Sequence, residues 1–248
     1  MRNPGQHLEA DPWFRWRGGN VSRIEALSDG VFALAIALLA FGNVPRDGEG
    51  LARFFREVPA FAACFLFLIW VWWYHFKFFR RYGIEDFVTV VLNSVLLFVV
   101  LFFINPLGFV AHVVITRQLF GGVVATEDPG LRDPQVILWY ASGFTLIFLC
   151  YLGLNCNAWR HRAVFELDEV ERMLAKTAIG EQVINVAVGL GSIALALAGK
   201  YFYAGWIFVA LGPLHGTWGF LRGLRTERVR DRSALASGRQ HQLEQSKE

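Results

Sequence analysis

The side chains best suited to chemistry sit where the surrounding residues are apolar. Ser28 and Asp29 fall within the run Arg23-Ile-Glu-Ala-Leu-Ser-Asp-Gly-Val-Phe-Ala-Leu-Ala-Ile-Ala-Leu-Leu39, with Glu25 just before them. His75 stands one helical turn after Trp72, and Asn93 lies in a third apolar stretch. A carboxylate at the centre of a bilayer costs about 2.5–3.5 kcal/mol, and less near the interface, so Asp29 needs partners. A Ser28–Asp29–His75–Asn93 cluster, with the Trp72 indole N–H as a further donor, would satisfy several of these groups together. Asp plus His could also serve catalysis. No nucleophile or metal set accompanies them, so structural glue between helices is the expected use and no enzyme, metal or cofactor is read from them. Cys64, Cys150 and Cys156 are odd in number and lack C-x-x-C spacing, which argues against a disulfide framework or a zinc site. They read as small buried residues in helices.

The elements that carry these residues follow from composition. Of the 248 residues 54% are hydrophobic and 18% charged, with 9 Trp and 23 Phe. An ordinary soluble domain is roughly 25% charged. A lipid-facing surface with interfacial aromatic anchors accommodates this balance. The net charge of +3 is too small to suggest nucleic acid. A spanning helix needs about 20 mostly apolar residues. Six such stretches are present: 24–44, stopped by Pro45; 58–79; 87–104, ending at Asn105-Pro106 or continuing toward Ile115; 135–157; 179–198; and 202–221. The first is not followed by a small-residue cleavage site and reads as a retained helix. A Gly/Asp/Pro-rich loop follows the third, and the polar segment from Glu166 to Lys176 reads as a helical extension or a surface helix.

With six spans, 18 Lys and Arg residues share the side that holds both termini, and six lie opposite. The bias predicts cytoplasmic termini and an even number of spans. The expected fold is all-α and polytopic.

On the first helix Asp29, Ala33, Ile36 and Ala40 fall on one side, where small residues permit close packing. Leu34, Leu38 and Phe41 recur at i, i+4, i+7 on the other, with Ala37 at its edge. That stripe reads as facing lipid or another helix.

The segment from Arg23 to Leu39 resembles the R-x-x-x-F-S-D-G-x-F-A-I-x-I-T-L-L signature of the lysosomal potassium channel family, transmembrane protein 175, in its single-repeat prokaryotic branch. Arg23, Ser28, Asp29, Gly30, Phe32 and Ala33 match it. Trp72-Trp73-Tyr74-His75 is similar to the family's W-x-x-H, Asn93 to its third-span asparagine, and Pro106 to the proline that follows. Leu27 replaces the usual Phe, and Ala37 stands where many members have a pore-facing Thr. The resemblance is detailed over residues 23–106 and topological beyond them.

The resemblance implies a potassium-permeable homotetramer in a prokaryotic plasma membrane, with K+ as permeant ion. Leu34, Ala37, Leu38 and Phe41 would line the pore, and Arg23, Ser28, Asp29, Trp72, His75 and Asn93 would form the polar network around it. The organisation expected is a cytoplasmic N-terminal segment (1–22), a six-span channel domain (23–222) and a polar cytoplasmic tail (223–248). No T-V-G-Y-G-like segment is present, so no carbonyl filter is expected. The competing classes are a proton- or ion-coupled transporter built on Asp29 and His75, and a non-conducting membrane scaffold. The transporter lacks a pair of broken helices in matched halves.

Overall fold

Serine and glutamate three residues apart open the first helix. Ser22 Oγ accepts the Glu25 N–H at 3.2 Å while Glu25 Oε2 accepts the Ser22 N–H at 2.9 Å, a reciprocal capping box. The computed structural model describes residues 13–41, 48–120 and 134–223, with the side chains of 41, 48–54, 105, 109–110, 112–120 and 134 left out. The Gly/Asp/Pro-rich loop, most of the tail and the Phe41 side chain therefore lie outside the described residues.

Five long helices follow one another: α1 (Arg23–Phe41), α2 (Gly48–Tyr82), α3 (Phe87–Phe120), α4 (Pro134–Arg160) and α5 (Glu169–Leu197). A short α6 (Tyr201–Trp206) then runs through a 3-10 turn (Ile207–Ala210) into α7, residues 211–223. Among the described residues, the helical parts 55–82, 87–104, 135–160 and 169–197 are long and apolar enough to cross a membrane by length and composition. The first helix carries Arg23, Glu25 and Asp29 within 19 residues.

The expected boundaries shift in four places, the first being α2, which opens at Gly48, ten residues before its expected start. The α3 helix runs through Pro106 to Phe120. The polar segment before the fifth apolar stretch is the first part of α5, so that helix opens ten residues earlier than the apolar run, behind Asp168. The final stretch is divided, because Pro213 has no N–H to offer the carbonyl of Val209 and the turn there tightens to 3-10.

α4 and α5 share the most extensive interface, followed by α3 with α4. Glycines set the closeness of both: a Cβ at Gly143 would collide with the Phe103 ring, and one at Gly189 with Thr145 Oγ1. The core between α2, α3 and α4 is aromatic, with Phe67, Trp70, Phe103, Phe144 and Phe148 in ring contact. The buried Tyr151 hydroxyl donates to the Val71 carbonyl at 2.7 Å, which keeps a polar group from being stranded there. Cys64 and Cys150 are buried as expected, whereas Cys156 is exposed on α4. α1 packs on α2 and α3 at the edge of this bundle.

Candidate functional site

Three helices meet through one chain of buried side-chain hydrogen bonds. Ser28 of α1, His75 of α2 and Asn93 of α3 are each at most 2% exposed. Asn93 Nδ2 donates to Ser28 Oγ at 3.0 Å, and Ser28 Oγ donates to the Ile24 carbonyl at 2.7 Å. Asn93 Oδ1 lies 3.0 Å from His75 Nε2. With the amide oxygen accepting, the imidazole carries its proton on Nε2. The ring is held edge-on by Phe32 and leans on Phe79, at centroid distances of 5.7 and 4.6 Å.

Asp29 stands apart from this chain. It is exposed, and its Oδ1 accepts the Trp72 indole N–H at 2.8 Å. The expected single cluster is thus two: a buried Ser28–Asn93–His75 chain, and an Asp29–Trp72 bond on the flank of α1. Consecutive residues on a helix point about 100° apart, so Ser28 and Asp29 cannot share one partner. Arg23 is exposed, and among the described residues its side chain forms no hydrogen bond or ion pair with either group.

The packing face of α1 also differs from the expected one. Ser28, Phe32 and Ala35 are buried, with Ile24, Val31, Ile36 and Leu39 packed beside them. Asp29 and Ala33 are exposed rather than packed within the chain. Leu27, Gly30, Ala33, Leu34 and Leu38 form an outward stripe, with Leu34 and Leu38 about half exposed and Ala37 intermediate. α3 presents a similar bare face through Val91, Val95, Phe98 and Phe102. The buried chain therefore fixes the rotation of α1 so that an uncharged apolar stripe points away from the rest of the bundle.

A second polar assembly escaped the sequence reading. The segment before α1 is strapped across the ends of α2 and α5. The Arg17 and Gly18 N–H groups both donate to the Arg80 carbonyl, at 3.1 and 3.2 Å. Arg15 and Arg17 reach Glu171, the nearest approach being Arg17 Nη2 to Oε2 at 2.7 Å. Glu171 also closes a capping box with Asp168. Its carboxylate is fully buried. Burial pushes its pKa up, but the hydrogen bonds from Arg17, Arg15 and two backbone N–H groups outweigh that and hold it down to about 2. Glu171 belongs to the charged start of α5, before the apolar run that begins at Ile179. Phe14 fills the space beneath, edge-on to Tyr82 and under the Arg81 guanidinium. The Asp168-x-x-Glu171 spacing signalled the helix cap. Nothing in the sequence signalled an arginine partner about 150 residues away.

Comparisons with known proteins follow the same geometry. Residues 23–103, which span α1, α2 and the first half of α3, match the family model described as Endosomal/lysosomal potassium channel TMEM175. A Marivirga tractuosa protein described as "Potassium channel" is 28% identical over 235 residues, covering 88% of this chain and 94% of its own. The crystal structure of a variant of the potassium channel MtTMEM175, bound to a nanobody–MBP fusion, superposes with a TM-score of 0.74. It is 29% identical and covers 90% of this chain and 98% of its own. The fold is also shared with a lysosomal potassium-selective channel TMEM175 homolog from Chamaesiphon minutus, at TM-score 0.53 and 23% identity over 82% of this chain and 96% of that one. The protein is an all-helical integral membrane protein, among the described residues, and its residues 23–103 are similar to the TMEM175 potassium channel family.

Proposed function

We propose that this chain is one subunit of a homotetrameric, potassium-permeable channel whose pore is lined by α1. Six spans, formed by α1 to α4, the part of α5 from Ile179 onward and the divided α6–α7 segment, would cross a prokaryotic plasma membrane with both termini in the cytoplasm. The observation that carries the reading is the bare stripe of α1. It is apolar, uncharged, and aimed outward by the Ser28–Asn93–His75 chain on the opposite side of the same helix.

On a fourfold axis Leu34, Leu38 and Phe41 would stack as rings over about 10 Å, at 1.5 Å rise per residue. Leucine offers no oxygen to replace an ion's hydration shell, so such rings control passage by constriction and dewetting. Asp29 and His75 do not hydrogen-bond to each other: each has its own partner. That separation weighs against a direct Asp–His proton relay of the kind a coupled carrier would use.

Purified protein in a planar bilayer with potassium gradients tests the class. Unitary currents reversing near the potassium equilibrium potential support the channel. Slow, saturable flux that requires a second ion would replace it with a carrier, and silence would leave a scaffold.

A further inference from the structure

Away from α1, a cleft of about 530 Å³ opens between α2, α5 and α7, lined among others by Trp70, Trp73, Tyr74, Lys77, Glu181 and His215. Its walls have a specific chemistry. Trp70, Trp73 and Tyr74 line it with aromatic rings, and a cation close over such a ring is attracted to its quadrupole. Glu181 adds a carboxylate beside the Tyr74 hydroxyl. Lys77 places an ammonium, with three donors, on the same rim. One wall therefore suits a cation and the other an anion.

A polar pair holds His215 in place behind the cleft. His215 Nε2 lies 2.8 Å from Asn185 Oδ1, and the buried Asn185 Nδ2 has no hydrogen-bond partner. His215 is also held edge-on to Trp70 at 6.0 Å. A Cβ at Gly180 would collide with the Trp218 ring, so the glycine lets α7 close on α5 beside the cleft.

The depth of the cleft is fixed by three helices at once. Lys77 lies one turn before Arg80 and Arg81 at the end of α2. Glu181 lies just inside the start of the apolar part of α5, and His215 two turns before Arg222. All three positions are where an apolar helix meets charged residues. Trp and Tyr concentrate at that level of a bilayer.

We propose that this cleft binds the headgroup of an aminophospholipid from the leaflet on the Lys77 side, its ammonium against Trp70, Trp73, Tyr74 and Glu181 and its phosphate on Lys77. The occupant is a lipid rather than a free phosphoamine, because the lining residues lie where apolar helices meet charged residues, and exposed Trp73, Val183 and Leu214 give acyl chains an apolar flank beside the cleft. This inference rests on membrane embedding alone, so a failure to record currents does not affect it.

Native mass spectrometry of the full chain in detergent, titrated separately with dioleoyl phosphatidylethanolamine, dioleoyl phosphatidylglycerol and soluble phosphoethanolamine, tests the proposal. Phosphatidylethanolamine should be retained on the order of tenfold more tightly than phosphatidylglycerol, the scale of one charge-assisted contact. Glu181→Gln, which keeps the side-chain shape, should erase that preference. Lys77→Gln should weaken both lipids while keeping the preference. The parent's own preference decides the matter even if a variant fails to fold. Equal or stronger retention of phosphatidylglycerol overturns the proposal, as does a preference unchanged by Glu181→Gln. Binding of soluble phosphoethanolamine as tight as that of the lipid overturns the lipid assignment.

Discussion

Replacing Glu171 with Gln keeps a side chain that can still cap α5 but removes the charge that Arg15 and Arg17 share. The magnitude follows from the carboxyl's pKa, held at about 2 against an ordinary 4.5. Each tenfold change in an acid's dissociation constant corresponds to about 1.36 kcal/mol, so the charged form contributes about 3 kcal/mol at neutral pH, as an order of magnitude. Of the two guanidinium groups Arg17, whose side chain is 18% exposed, contributes more than Arg15, which at 58% is largely screened by solvent. The folded pKa lies below the unfolded one. The contribution is therefore complete above about pH 4.5 and disappears as the pH falls through about 2. Unfolding of parent and Glu171→Gln in the same detergent, followed at pH 7, 4.5 and 3 by intrinsic fluorescence, reads this directly. The variant should be less stable at pH 7 by about 3 kcal/mol, and the gap should narrow as the pH falls. A gap that is absent at pH 7, or that stays constant with pH, would refute the strap as an electrostatic lock.

Three further outcomes are expected. Asn93→Ala strands the His75 Nε2–H and removes the donor to Ser28, at a cost of about 1–3 kcal/mol in the same unfolding assay; an unchanged midpoint would mean that the chain of bonds does not hold α1. Gly18→Ala would place a Cβ 2.5 Å from the Phe79 carbonyl oxygen, so the strap must lift, and limited proteolysis should cut before α1 sooner than in the parent. In cells, a membrane-impermeant thiol reagent should modify a cysteine placed at Gly130 but not one placed at Ser237, and the reverse pattern would invert the orientation.

The sequence was most informative where burial is costly. Polar residues inside apolar runs had to find partners, and Ser28, Asn93 and His75 do so. Which partner each would take was less legible, because hydropathy carries no rotational information finer than a helix face. Asp29 pairs with Trp72 on the flank, one residue and about 100° away from Ser28. The outward stripe of Leu34 and Leu38 was readable from its i, i+4 spacing. The division between α6 and α7 had a local signal in Pro213 that the hydropathy of the stretch concealed. The strap on Glu171 and the cleft around Glu181 and His215 join segments far apart in the chain, and no pattern within one segment encodes such meetings.

The proposed channel has α1 as its pore-lining helix, and single-channel recording of Leu34→Ala beside Phe98→Ala tests that most directly. Both residues are exposed and apolar, Leu34 on α1 at 50% and Phe98 on α3 at 69%, so loss of bulk alone does not distinguish them. Recorded in one lipid, Leu34→Ala should raise unitary conductance and bring the potassium and sodium reversal potentials closer together, while Phe98→Ala leaves both at the parent values. Parent-like conductance and reversal potentials in Leu34→Ala, with altered values in Phe98→Ala, would contradict the account and move the pore to α3.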